Sequence, residues 1–192
     1  MFGPTVEYNI LVFDFIIRSF DMASFKELFE IGQDYDSFVG GGLDTETIHV
    51  NTIQKRIKSE DLISHSTFER LAGVVGNYRL LIASEMWCPD CLVSIPALNY
   101  MCLLQSRISL SIISKARAEH QLQHRLDLDK ILVPVIAVLN FNFELVGRYG
   151  FVVRSNSAQV LSEYKEGYHI EEILSHVIDI IERFEGRSGA EG

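Results

Sequence analysis

The chain has 192 residues, 47% of them hydrophobic, which is enough to bury a sizeable core without disulfide staples. Its net charge of −9 speaks against nucleic acid and against anionic membranes as partners, since both ask for a basic surface. Three cysteines are too few for a secreted disulfide framework and leave one over, so a reducing, cytoplasmic setting is expected.

In chain order, Tyr8 to Phe20 is apolar enough to suggest an export signal. It has no basic leader, carries Asp14 in its middle and lacks a small-residue cleavage site, so export is rejected. No run approaches the ~18 apolar residues of a membrane span. Residues 1–59 are expected to form a mostly helical N-terminal extension. Within it, Phe25 to Phe38 is acidic and aromatic, with Tyr35 and Phe38 expected to pack on the core, and Gly40 to Gly42 is a flexible break. Thr45 to Lys58 fits either a helix or, through Ile48, Val50 and Ile53, a short strand.

Residues 60–186 read as one α/β domain, and 187–192 as a disordered tail. Leu62, Phe68, Leu71, Val74 and Val75 recur near helical spacing, with Asp61 as the cap and Gly73 and Gly76 loosening the end. Tyr78 to Ser84 has the length of a buried strand, and a helix is expected from Leu92 to about Ser106. Ile108 to Ile113 is rich in β-branched residues. Lys115 to about Leu126 reads as a polar helix with Leu122 and Leu126 facing inward, and Ile131 to Leu139 as a third strand. Alternation of this kind favours parallel strands joined by right-handed helical crossovers. Asn140 to Phe143 then reads as a tight turn into a returning antiparallel strand, Glu144 to Tyr149. The stripe Ile170, Ile173, Leu174, Val177, Ile178, Ile181 and Phe184 marks a last helix lying on the sheet.

Trp87-Cys88-Pro89-Asp90-Cys91 sits at a strand-to-helix junction in this layout. Two cysteines separated by two residues can close a small disulfide ring. A cysteine where a helix begins has its thiolate favoured by unpaired amides and by the helix dipole. Cys88, nearer the helix start and expected to be the more exposed, would attack a substrate disulfide, and Cys91 would resolve the mixed disulfide. Trp87 would shape the rim.

These residues resemble the thioredoxin superfamily from about Tyr78 to Gly150, with the last helix added by pattern. Trp87-Cys88-x-x-Cys91 is similar to its active-site motif. Pro96, eight residues after Cys88, falls at its helix-kinking proline, and Val133-Pro134, 46 residues after Cys88, at its cis-proline loop. Gly150, sixteen residues beyond Pro134, falls at the glycine after its hairpin. The wording Trp-Cys-Pro-Asp-Cys resembles the small thioredoxin-related reductases. The whole layout resembles bacterial thioredoxin-like proteins with a helical N-terminal extension. The resemblance implies a thioredoxin-like α/β fold, a mixed central sheet with a C-terminal hairpin and flanking helices. It also implies thiol–disulfide exchange without a bound cofactor, a disulfide-containing protein or small molecule as substrate, and an external electron donor such as a thioredoxin reductase-like enzyme. Val133 and Pro134 would present backbone to an extended substrate.

Two acids, Glu85 and Asp90, flank Cys88 and are expected to raise its pKa, which points to a reducing dithiol. One departure stands out. The resemblance implies a buried aspartate six residues before the first cysteine, and here that position is Ile82. Glu85 is a candidate substitute, with plain solvent exposure the alternative. Two other classes of function compete: a peptide-binding module using the Pro134 groove with an idle dithiol, and a metal or iron–sulfur site. Zinc asks for four ligands and no second Cys-x-x-Cys exists, so no metal is expected. His120 and His124 have ligand spacing but no companion ligands, and Cys102 is expected to act as a small core residue.

Overall fold

The computed structural model describes residues 22–59, 62–150, 162 and 169–188. The apolar run at Tyr78–Ala83 forms the central strand β1, buried at every position but Arg79. Burial at successive residues means both faces of the strand are covered. Strand β2 (Ile108–Ile113) pairs parallel to β1 on one side, and β3 (Val135–Leu139) pairs antiparallel to it on the other. An antiparallel β4 (Leu145–Gly150) completes the order β2-β1-β3-β4. The result is an α/β fold with a mixed four-stranded sheet.

The direction of β3 departs from the parallel arrangement expected from strand–helix alternation. A parallel crossover must carry the chain back along the full strand, ~20 Å for six residues. The helix after β2, here the Lys115–Gln121 segment, has only seven residues, a rise of ~10 Å. It stops short of the expected Leu126 and gives way to turns, while Leu122 and Leu126 are buried as expected. The chain rejoins the sheet where β1 ends, with Val135 opposite Ala83, and β3 begins there, four residues later than expected at Ile131. Asn140 to Phe143 makes the turn: the Phe143 amide donates to the Asn140 carbonyl and the Asn140 amide to the Glu144 carbonyl. Arg79 braces it, its guanidinium lying 4.1 Å from the Phe143 ring centroid and donating to the Phe141 carbonyl.

Among the described residues four helices precede the sheet, the first three being α1 (Phe25–Glu30), α2 (Tyr35–Gly40) and α3 (Asp44–Ser59). Ser24 and Glu27 cap α1 reciprocally, and Asp34 caps α2. Between them Gln33 exchanges both backbone hydrogen bonds with Ile112, at 2.8 Å each, and so shields the exposed edge of β2. Gly32 is required beside it, because a Cβ there would collide with Ser111 Oγ. The segment open to two readings is helical. Val50, Ile53 and Ile57 form its buried stripe, whereas Ile48 is 65% exposed. Tyr35 and Phe38 are buried in the core, as expected.

Helix α4 (His65–Ala72) starts later than its apolar pattern suggested, and Ser64 caps it, accepting from the Thr67 amide. Asp61, the expected cap, lies outside the described residues, as do Tyr8 to Phe20. In chain order α5 (Pro89–Leu104), α6 (Lys115–Gln121) and α7 (Ile170–Ser188) follow. α7 runs two residues past the expected start of a tail at 187, and 189–192 lie outside the described residues. The apolar stripe of α7 from Ile170 to Ile181 is buried against the sheet and α5. No helix of the described residues is long and apolar enough to cross a membrane.

The polar edge of α7 fastens it to α4. Glu171 accepts from the hydroxyls of Ser64 and Thr67 and from the Ser64 amide, and Arg70 reaches Asp179 and Glu182. Burial opposes charge on Glu171, but the Thr67 and Ser64 donors outweigh it and hold the carboxyl below its ordinary value. A depressed folded pKa stabilises the fold above the unfolded-state value and is lost as pH falls through the folded one. Glu171→Gln is therefore expected to lower Tm at neutral pH, with the gap to wild type closing below about pH 4. Thermal melts of both proteins across that range check it.

Candidate active site

Cys88 is the N-cap of α5, with extended backbone (φ −87°, ψ 118°) and no side-chain capping bond. Pro89 occupies the first helical position, where a missing amide costs nothing. The amides of Cys91 and Leu92 both donate to the Cys88 carbonyl, at 3.0 and 3.1 Å. The helix thus begins at Pro89, three residues earlier than the sequence suggests, and Cys91 lies in its first turn. Pro96 sits buried inside the same helix.

Both cysteines are free thiols and both are buried: Cys88 is 5% exposed and Cys91 0%. Cys88 is the more accessible of the two, as expected, yet it is not an exposed residue. Its thiol donates to the Val133 carbonyl at 3.3 Å, and the Val133–Pro134 peptide bond is cis. The dithiol turn and the loop before β3 are thereby brought together. Gly150 ends β4 opposite Val135, where a Cβ would meet the Pro134 carbonyl at an ordinary 3.7 Å. Trp87 stands 62% exposed at the rim.

The electrostatics correct one expectation. Cys88 is shifted down, not up. The largest cause is a hydrogen bond from the Cys91 thiol; burial opposes it, the Cys91 amide adds to it, and Asp90 opposes it with a smaller effect. Asp90 therefore acts in the expected sense and is outweighed. Glu85 points elsewhere: its Oε1 accepts from the Lys115 amide at 2.7 Å, at the N-terminus of α6, where a helix favours an anion. Cys91 is pushed strongly up by burial first and by its bond to Cys88 second. The proton is thus held on the inner sulfur and the nucleophilic character placed on the outer one.

Cys102 is packed against the core, and burial lifts its thiol to about 12. Alkylation of the native protein should accordingly begin at Cys88. Its pH midpoint should lie below that of an ordinary thiol, fall further in Asp90→Asn and rise in Cys91→Ala. Iodoacetamide labelling rates followed by peptide mass analysis check the order and the direction.

Two features escaped the sequence reading. The first is a groove of about 430 Å³ lined by Phe38, Leu43, Glu46, Glu85, Met86 and Trp87, which brings the extension to the dithiol rim. Its one sequence signal is the Gly40–Gly42 break, since a Cβ on Gly42 would meet Met86 Cε at 2.5 Å. The second is Ser84, a buried hydroxyl where β1 ends. Among the described residues no group of three or more His, Cys, Asp or Glu could hold a metal.

A protein-family model described as thioredoxin matches residues 32–166. A crystal structure of a protein of unknown function from Pseudomonas aeruginosa is similar, with 42% identity, a TM-score of 0.78, and coverage of 84% of this chain and 98% of that one. An HIV epitope scaffold is similar at 40% identity and a TM-score of 0.77, over 83% of this chain and 98% of that one. No curated protein matches the chain.

Proposed function

Because the chain belongs to the thioredoxin family, we propose that it is a thiol–disulfide oxidoreductase that reduces protein or small-molecule disulfides through Cys88 and Cys91. The observation that carries this reading is the asymmetry of the dithiol. Cys88 at the helix start is biased toward thiolate, while buried Cys91 keeps its proton.

The Cys88 thiolate attacks one sulfur of the substrate disulfide, forming a mixed disulfide, and the other substrate sulfur leaves as a thiolate that takes up a proton. Cys91 then loses its proton and attacks Cys88 Sγ. The Cys88–Cys91 disulfide forms, the bond to substrate breaks, and the second substrate thiol is released. Two electrons pass from the dithiol to the substrate.

No bound cofactor takes part, and an external donor such as a thioredoxin reductase-like enzyme restores the dithiol. Val133, Pro134 and Trp87 border the attacking sulfur and would receive the substrate's backbone and side chains. A cytoplasmic setting fits a protein that works reduced.

Turnover of a disulfide-bonded protein such as insulin, with dithiothreitol as donor, tests the reading. Acceleration over dithiothreitol alone is expected, and binding of the substrate without acceleration would favour a peptide-binding module with an idle dithiol.

A further inference from the structure

Cys91 has to lose its proton where solvent does not reach, since it is 0% exposed. The side chains around it offer little help. Ile82 is apolar and equally buried, and the Glu85 carboxylate is bonded to the Lys115 amide. One polar side chain is left at the end of β1. Ser84 is 1% exposed, and its amide donates to the Ile113 carbonyl at 3.0 Å, which fixes the residue to β2. In the resting dithiol its Oγ has no hydrogen-bond partner among the described residues. A buried hydroxyl left so is costly unless another state of the protein uses it.

Ser84 Oγ lies near enough to the Cys91 sulfur to act on it, and the hydroxyl favours the ionised form of that sulfur. The Glu85 amide acts in the same sense, with a smaller effect.

We propose that Ser84 is a catalytic hydrogen-bond donor to Cys91, stabilising its sulfur as it ionises and attacks the mixed disulfide on Cys88. The inference rests on the exchange reading above. In that step the Cys91 proton passes to the substrate thiolate set free in the first step, and Ser84 keeps its own. The Cys91–Cys88 bond forms as the Cys88–substrate bond breaks, and the electron pair leaves with the substrate sulfur. The hydroxyl is thus idle in the resting protein and engaged only when charge appears on Cys91, so its contribution falls on the second chemical step.

The two steps separate with 2,2′-dithiodipyridine as substrate, in a Cys102→Ala background that removes the third thiol. Attack by Cys88 releases a first thiopyridone and resolution by Cys91 a second. In Ser84→Ala the first release should keep its rate, which also shows that the fold is intact. The second should slow roughly tenfold or more, as for a lost hydrogen bond to a charged group. Its pH midpoint should move upward, and Ser84→Thr, which keeps the hydroxyl, should restore it. A second release in Ser84→Ala with the wild-type rate and pH midpoint would overturn the role of Ser84 and leave exchange standing. A Cys102→Ala parent, with Ser84 in place, that releases only one equivalent would overturn both.

Discussion

Cys88→Ser is expected to abolish disulfide reduction down to the rate of the chemical donor alone, whereas Cys91→Ser should still complete one attack and then stall. The difference follows from their positions. Cys88 is the N-cap of α5 with its thiol against the Val133 carbonyl, and Cys91 is sealed in the first turn. Serine at 88 removes the sulfur that faces the Val133–Pro134 loop, and a hydroxyl has no comparable anionic fraction near neutral pH. Serine at 91 keeps a donor to Cys88 but cannot close a disulfide, so the first adduct persists. Turnover assays and stoichiometry of the first adduct separate the two. Turnover at the wild-type rate in either variant would mean that the dithiol does not carry the reaction.

Ile82→Asp has the largest expected effect on stability. Ile82 is fully buried in the central strand, paired with Ile112 on one side and Ile136 on the other. Truncation to alanine should cost about 2–5 kcal/mol through lost burial and a cavity. Aspartate adds the cost of a buried charge without a partner, on the order of 3–5 kcal/mol. The sign with pH is the reverse of that for Glu171. Burial raises the folded pKa of such an acid above its unfolded value of about 3.9, so the charge penalty is absent below that pH and grows as pH rises toward the folded pKa. The Tm gap between Ile82→Asp and Ile82→Ala should therefore widen from acid to neutral pH. A gap that does not change with pH would mean that solvent or a partner reaches the new carboxylate.

The contrast between these two sites shows how far the sequence could be read. The run at Tyr78–Ala83, the β-branched run at Ile108–Ile113 and the stripe of α7 were legible because continuous or periodic burial leaves a pattern along the chain. Strand direction left none. Whether the Lys115–Gln121 segment carries the chain across the sheet depends on its length and on the turns after it, and a helical period reports neither. The segment Asp44–Ser59 stayed ambiguous because Ile48, exposed in the structure, mimics strand alternation beside the buried stripe of Val50, Ile53 and Ile57.

At the site, the motif located both cysteines and the Val133–Pro134 loop that meets them. It misjudged the sign of the Cys88 shift, because charges at Glu85 and Asp90 are visible in a sequence whereas their geometry is not. Glu85 is taken up by the Lys115 amide, and the Cys91 hydrogen bond that dominates depends on how the first helical turn is wound. Ser84 was passed over for a similar reason. In the sequence it reads only as the last residue of the strand Tyr78 to Ser84, and its burial without a hydrogen-bond partner is what marks it out.

The most direct test of exchange through Cys88 is to incubate Cys91→Ser with a disulfide-bonded protein substrate, quench with acid and map the product by non-reducing peptide mass analysis. The expected result is one substrate chain joined to Cys88 and released by reductant. An unmodified Cys88, or an adduct carried by Cys102, would contradict the account.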